Sequence, residues 1–119
     1  MSLFSLARST LGGFIIGWMF AHMSFAIPVK RLRETDTLLA FSHPKPSYPV
    51  HILLVPKRAL GSLMELSSTD VDFYADLIHT VQSLVAEFDL EQGGYRLVVN
   101  GGEYQQVPQL HFHLICEAE

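Results

Sequence analysis

One segment of this 119-residue chain carries a helical repeat, and that repeat restricts the fold more than any other feature. Between positions 71 and 88, apolar residues recur at spacings of three and four. They are Val71, Tyr74, Leu77, Ile78, Val81, Leu84, Val85 and Phe88. This spacing is typical of an amphipathic helix, which has to bury one face against another element. The neighbouring segments have the pattern of strands, so a sheet is the expected partner.

Five short extended segments supply that sheet. They are residues 29–33, 37–41, 51–55, 95–100 and 110–116. The first two are separated by three residues, which predicts a hairpin, and prolines at positions 44, 46 and 49 predict a loop before the third. A length of 119 residues suits one domain. Hydrophobic residues make up 49% of the chain, which is enough to form one buried core. The sequence therefore predicts a single α+β domain.

Charge and cysteine content exclude several classes of protein. Eight basic and twelve acidic residues give a net charge of -4, which argues against a general nucleic-acid binder. Seven of the eight basic residues precede position 59, so a basic region beside a pocket could attract a small anion. The single cysteine, Cys116, excludes an intrachain disulfide and a multi-cysteine zinc site. A reducing, cytoplasmic setting is the default expectation.

The amino-terminal segment poses a separate question. Residues 11–27 hold no formal charge and fall just short of the roughly 18–20 apolar residues that span a bilayer. Three glycines, His22 and Ser24 dilute the hydrophobicity of this segment. We predict an apolar helix within residues 1–23 that packs on the protein or in a dimer interface. The alternatives are a membrane anchor that leaves the domain in the cytoplasm, and a cleaved signal peptide.

The chemistry of the chain concentrates in the last predicted strand. Alternation places Gln109, His111 and His113 on one face, and His51 begins another strand that can converge on the same face. Such a cluster suits either of two chemistries: imidazoles that hold Zn²⁺, or one imidazole that attacks phosphorus while its neighbours orient it. The glycine-containing loop 101–106 directly before the strand offers N–H groups for phosphate oxygens, which favours phosphoryl chemistry.

These segments together resemble the histidine triad family. Residues 105–115 are similar to its motif, His-φ-His-φ-His-φ-φ with φ apolar, preceded by a glutamine-containing loop. Residues 25–30, 39–41, 51–57 and 95–100 resemble the other signature segments of the family, in order. The resemblance is closest to the histidine triad nucleotide-binding branch, which comprises nucleoside phosphoramidases and related hydrolases. It implies a HIT-like domain over residues 24–119 and a homodimer. The implied fold is an antiparallel five-stranded sheet with one long helix and a short N-terminal helix.

The resemblance also implies roles for individual residues. His111 matches the family nucleophile, while His113 and His51 match two further catalytic-pocket histidines. The substrate would be a purine nucleotide or a nucleoside phosphoramidate, with no metal and no cofactor. Ile27 and Phe41 match the apolar walls around the base. The complete nucleotide-binding set that the resemblance implies is Asn100, Gln105, Gln106, Gln109, Ile27, Phe41 and His43.

Three positions depart from the family pattern. Gln109 replaces the first triad histidine, His43 stands where an acidic ribose ligand is common, and Gln106 stands where many members have serine. Glutamine can orient a neighbour but cannot exchange a proton, so part of a general acid–base contribution of about 10²–10⁴-fold is lost. Since the nucleophile remains, we predict a nucleotide hydrolase. The alternatives are a catalytically weak nucleotide-binding regulatory protein and, third, a histidine-based metalloenzyme.

Overall fold

The computed structural model describes residues 31–117 of the chain. In this part, five strands form a sheet and one long helix packs on it. The strands are β1 (Arg31–Glu34), β2 (Leu38–Ser42), β3 (Val50–Pro56), β4 (Arg96–Val99) and β5 (Phe112–Cys116). The helices are α1 (Val71–Glu87) and α2 (Leu90–Gly93), and two 3-10 turns cover Leu63–Glu65 and Gly102–Tyr104. The prediction of an α+β fold is confirmed.

The five strands form one antiparallel sheet in the order β1-β2-β3-β5-β4. The predicted hairpin is confirmed, since β1 pairs with β2. Strands β3 and β5 lie side by side at the centre, with Leu53 opposite His113 and His51 opposite Ile115. Because side chains alternate between the two faces, this register places His51 and His113 diagonally on one face.

The core lies between the other face of the sheet and α1. Alternate residues of the two central strands, Ile52, Leu54, Phe112 and Leu114, are buried there. The helix contributes Phe73, Leu77, Val81, Leu84 and Val85 to the same core. Burying one such side chain stabilises the fold by about 1.5–3 kcal/mol, so this layer supplies much of the driving force for folding.

Three members of the predicted apolar face of the helix lie outside the core. Val71 is 61% exposed, Ile78 is 49% exposed and Phe88 is 38% exposed, whereas Thr80 is buried. Residues seven apart lie on nearly the same side of a helix, so Val71 and Ile78 share one flank of the apolar face. The sheet covers a narrower part of α1 than the sequence pattern suggests.

Local structure differs from the sequence prediction at two further places. The short helix α2 was not predicted, and Asp89, in the left-handed region with φ 53°, precedes it while Gly94, with φ 94°, ends it. Strand β5 begins at Phe112, two residues later than predicted, although Leu110 already packs in the core. The alternation between faces therefore extends beyond the hydrogen-bonded strand.

Several predictions concern residues outside the described range. They are the short N-terminal helix, the apolar segment 11–27, Ile27 and the boundary between residues 23 and 24. Within residues 31–117, neither helix has the length and apolar character that a membrane span requires.

Candidate functional site

Four histidines form a continuous row on the sheet face that points away from α1. The rings of His43 and His51 are stacked with centroids 4.4 Å apart. The His51 and His113 centroids are 5.2 Å apart, and those of His113 and His111 are 5.0 Å apart. The structure thus brings together the three predicted catalytic histidines and adds His43, which follows the end of β2.

A hydrogen bond fixes the orientation of His111. Its Nδ1 lies 2.7 Å from the backbone oxygen of Gln109. A carbonyl oxygen only accepts, so Nδ1 carries the proton and donates it. In a neutral ring the lone pair then resides on Nε2, which is the atom that can attack an electrophile.

The central pair of the row is also hydrogen-bonded. Nε2 of His51 lies 3.0 Å from Nδ1 of His113. The backbone N–H of Ser47 donates to Nδ1 of His51 over 3.1 Å, and that of Lys45 donates to Nδ1 of His43 over 3.0 Å. Both donors come from the loop 43–49, which the sequence identified only as a proline-containing connection. Because proline has no backbone N–H, the three prolines of that loop could have shown from the sequence which few residues are able to donate.

Burial keeps the histidines of the row uncharged. It lowers the pKa of His51 to about 4 and that of His113 to about 4, with charge repulsion from neighbouring imidazoles as a further cause. Burial also lowers the pKa of His111, although the carbonyl of Gln109 acts in the opposite direction, and the pKa of His43 is lowered by burial and by His111. At neutral pH these rings are free bases that can act as nucleophiles and neutral donors.

Gln109 is completely buried beside this row. Its Nε2 donates to the backbone oxygen of Arg58 over 3.0 Å, which fixes the orientation of the amide because a carbonyl cannot donate. Among residues 31–117, its Oε1 has no hydrogen-bond partner, and neither has Nε2 of His113, although both atoms are buried. Buried polar atoms without partners are rare in native proteins and call for an explanation.

The two glutamines of the preceding loop differ in their surroundings. Gln105 donates from Nε2 to the backbone oxygens of Gly61 at 2.7 Å and Val107 at 3.0 Å, so its amide nitrogen holds two loops together. Gln106 is exposed. The loop is therefore anchored on one side and open to solvent on the other.

Asn100 and Phe41 lie at two sides of the histidine row. Asn100 is half-buried and directly follows β4, whose last residue, Val99, pairs with Phe112 next to His111.

Phe41 is fully buried opposite Leu53, which in turn lies opposite His113. Strands are spaced by about 4.8 Å, so Phe41 stands two strand spacings, about 10 Å, from His113.

Four of the seven basic side chains of the first half contact carboxylates in the described part of the chain. Arg31 and Lys57 contact Glu34, Arg33 contacts Glu87, and Arg58 contacts Asp70. These ion pairs offset the charge of four side chains in the basic region that the sequence suggested for attracting an anion. Neutral N–H donors are a further means of recognising an anion. Within residues 31–117, no group of three or more histidine, cysteine, aspartate or glutamate side chains is arranged to hold a metal ion.

Comparisons with known proteins agree with this architecture. The family model of the HIT domain matches residues 24–119. The chain is 37% identical over 91 residues to an uncharacterised HIT-like protein of Synechococcus elongatus, which covers 75% of this chain and 79% of the relative. A HIT family hydrolase from Legionella pneumophila superposes with a TM-score of 0.71 at 28% identity, over 78% of this chain and 85% of that one. A histidine triad nucleotide-binding protein from Candida albicans has a TM-score of 0.68 at 28% identity, over 78% and 68% of the two chains.

Proposed function

The chain belongs to the HIT domain family, and from that premise we propose that it is a nucleotide hydrolase. The bond cleaved is the one between the α-phosphorus and the leaving group of a purine nucleoside phosphoramidate or related nucleotide. The observation that carries this proposal is the hydrogen bond from Nδ1 of His111 to the Gln109 carbonyl. It leaves the lone pair of Nε2 available for attack on phosphorus.

The proposed reaction has two displacements at phosphorus. In the first, the Nε2 lone pair of His111 forms a bond to the α-phosphorus, and the phosphorus–nitrogen bond breaks with its electron pair moving to the leaving nitrogen. That nitrogen takes one proton from water. In the second, a water oxygen attacks phosphorus, the bond to Nε2 breaks with its pair returning to the ring, and the water gives up one proton to solvent. The products are a nucleoside monophosphate and an amine.

The surroundings of His111 suit this chemistry. The ring becomes positively charged when Nε2 bonds to phosphorus, and the Gln109 carbonyl at Nδ1 stabilises that charge through a charge-assisted hydrogen bond. His113 is proposed to contact a phosphoryl oxygen, and His51 to orient His113. In a buried site such fixed donors act more strongly than in water.

The remaining residues are proposed to bind the rest of the nucleotide. Around the phosphate would lie Asn100, Gln105 and Gln106. Ile27 and Phe41 would lie beside the base, and His43 near the ribose.

Gln109 is the reason to keep the alternative of a catalytically weak, nucleotide-binding regulatory protein. Its amide donates to the Arg58 carbonyl and cannot transfer a proton to a leaving group. The loss of this proton transfer slows the first displacement without removing the nucleophile. We therefore expect turnover that is slower than a three-histidine site would give.

We also propose the assembly and location of the protein. The domain of residues 24–119 would form a homodimer in the cytoplasm and would not bind nucleic acid. Strand β4 supports an interface between copies, since it lies at the edge of the sheet, its Leu97 is exposed, and Tyr95 directly before it is exposed too. The net charge of -4 supports the absence of nucleic-acid binding. Membrane association through residues 11–27 is the alternative.

The activity is tested by incubating the full-length protein with adenosine 5′-phosphoramidate and measuring release of AMP. The wild type should turn the substrate over, and His111→Ala should not. His79→Ala is the matched control, because His79 lies exposed on α1 and outside the histidine row. Saturable nucleotide binding without turnover would favour the regulatory protein.

A further inference from the structure

The loop between β2 and β3 has an unusual supply of backbone donors. In the stretch 44–49, Pro44, Pro46 and Pro49 have no N–H, which leaves those of Lys45, Ser47 and Tyr48. Two of these three N–H groups donate to ring nitrogens of histidines: Lys45 to Nδ1 of His43, and Ser47 to Nδ1 of His51. Proline also fixes its own φ near −65°, so the intervening donors are held in place.

These contacts determine which nitrogen of His51 carries the proton. A backbone N–H only donates, so Nδ1 of His51 has to accept with its lone pair. A neutral imidazole carries one proton, which therefore sits on Nε2. That atom is 3.0 Å from Nδ1 of His113, so His51 is the donor and His113 the acceptor in this bond.

The proton of His113 is located by its hydrogen bond with His51. Since its Nδ1 accepts from His51, its own proton resides on Nε2. This Nε2–H is buried and has no acceptor within the described part of the chain. His111, whose ring centroid is 5.0 Å away, has the opposite arrangement, with the proton on Nδ1 and the lone pair on Nε2. Neighbouring rings thus present one lone pair and one N–H, which match an electrophilic phosphorus and one of its negatively charged oxygens.

We propose that the backbone N–H of Ser47 is a positioning group that sets the tautomers of His51 and His113. Through the two rings it makes Nε2 of His113 a fixed donor for a phosphoryl oxygen. The contact to the oxygen rests on the proposed function, whereas the tautomers themselves do not. The side chain of Ser47 has no part in this device, so a substitution that keeps the N–H should keep the tautomers.

The tautomers can be read directly from the full-length protein with ¹⁵N-labelled histidine, by two-bond ¹⁵N–¹H correlation at neutral pH. We expect the Nε2–H form for His51 and His113 and the Nδ1–H form for His111. Ser47→Pro removes the N–H, and Ser47→Ala is the matched control that keeps it. Ser47→Pro should give a mixture of tautomers at His113 and lower kcat/KM about tenfold, as expected for loss of one orienting hydrogen bond. Ser47→Ala should give the wild-type spectrum and rate.

The inference would be overturned by the Nδ1–H form of His113 in the wild type, or by a single unchanged His113 tautomer in folded Ser47→Pro. If Ser47→Pro does not fold, His51→Phe takes its place, because it removes the donor to His113 while filling a similar volume. A single unchanged His113 tautomer in His51→Phe would also overturn it. The spectra are read without substrate, so a protein with the expected tautomers but no turnover would contradict only the proposed function.

Discussion

Nδ1 of His111 lies 2.7 Å from the backbone oxygen of Gln109, the residue two positions earlier in the chain. One residue thereby supplies two different contacts: its carbonyl orients His111, and its side-chain amide binds the Arg58 carbonyl. The carbonyl contact does not depend on the identity of the side chain. If Gln109 replaces the first triad histidine, as the sequence resemblance implies, the replacement preserves the orientation of the proposed nucleophile and changes only what surrounds it.

Gln109→His should keep or raise phosphoramidase activity. An imidazole at this position can donate to the Arg58 carbonyl as the amide does, and it adds a group that can exchange a proton. General acid–base assistance is typically about 10²–10⁴-fold, so a rise of about tenfold in kcat is a modest expectation. The measurement is steady-state turnover of adenosine 5′-phosphoramidate. A large fall in kcat in a folded Gln109→His variant would show that the amide itself is needed.

The stability of the protein should fall in mild acid. Burial lowers the pKa of His51 and His113 to about 4, from 6.5. Between these values the unfolded chain binds more protons than the native state, so the free energy of unfolding decreases as the pH is lowered from 6.5 towards 4. Urea unfolding at several pH values measures this slope. His113→Gln should flatten it, whereas His79→Gln, a change on the exposed side of α1, should not. Equal slopes in wild type and His113→Gln would refute the assignment.

Gln105→Ala should destabilise the fold by about 1–3 kcal/mol, because it leaves two loop carbonyls without their donor. Those carbonyls belong to Gly61 and Val107. Gln106→Ala is the control, since Gln106 is exposed and should change the free energy of unfolding by less than about 0.5 kcal/mol. Denaturant unfolding of the two variants gives the comparison. Equal effects would mean that the cross-link between the loops contributes nothing to stability.

Phosphoryl transfer through a histidine nucleophile needs no metal. The purified protein should therefore contain no stoichiometric zinc, and a chelator should leave phosphoramidase activity unchanged. Elemental analysis and assays with and without chelator test this. About one zinc per chain, lost in His113→Ala, would instead favour the metalloenzyme.

The sheet and the main helix could be predicted because their residues follow simple periods. Leu110, Phe112 and Leu114 alternate with polar residues, and all three pack in the core even though β5 begins only at Phe112. The exposure of Val71 and Ile78 could not be predicted in the same way. A helical period gives the direction of the apolar face, but the neighbouring sheet decides how much of that face is covered.

The contacts around the histidines were less accessible to sequence reasoning. Alternation within one strand placed His111 and His113 together, and the pairing of β3 with β5 brings His51 to them. The amide nitrogen of Gln105 donates to the backbone oxygen of Gly61, 44 positions earlier. The hydrogen bond from Gln109 to Arg58 spans 51 positions. Contacts of this kind depend on how loops pack, and no local pattern in the chain encodes them.

The proposed covalent intermediate on His111 is tested most directly by the mass of the protein during turnover. Full-length protein is mixed with adenosine 5′-phosphoramidate, quenched rapidly under alkaline conditions and analysed by mass spectrometry of the intact chain and its peptides. We expect one adenylyl group per chain, located on His111 and absent from His111→Ala. Turnover with no adduct at His111, or an undiminished rate in His111→Ala, would contradict this intermediate.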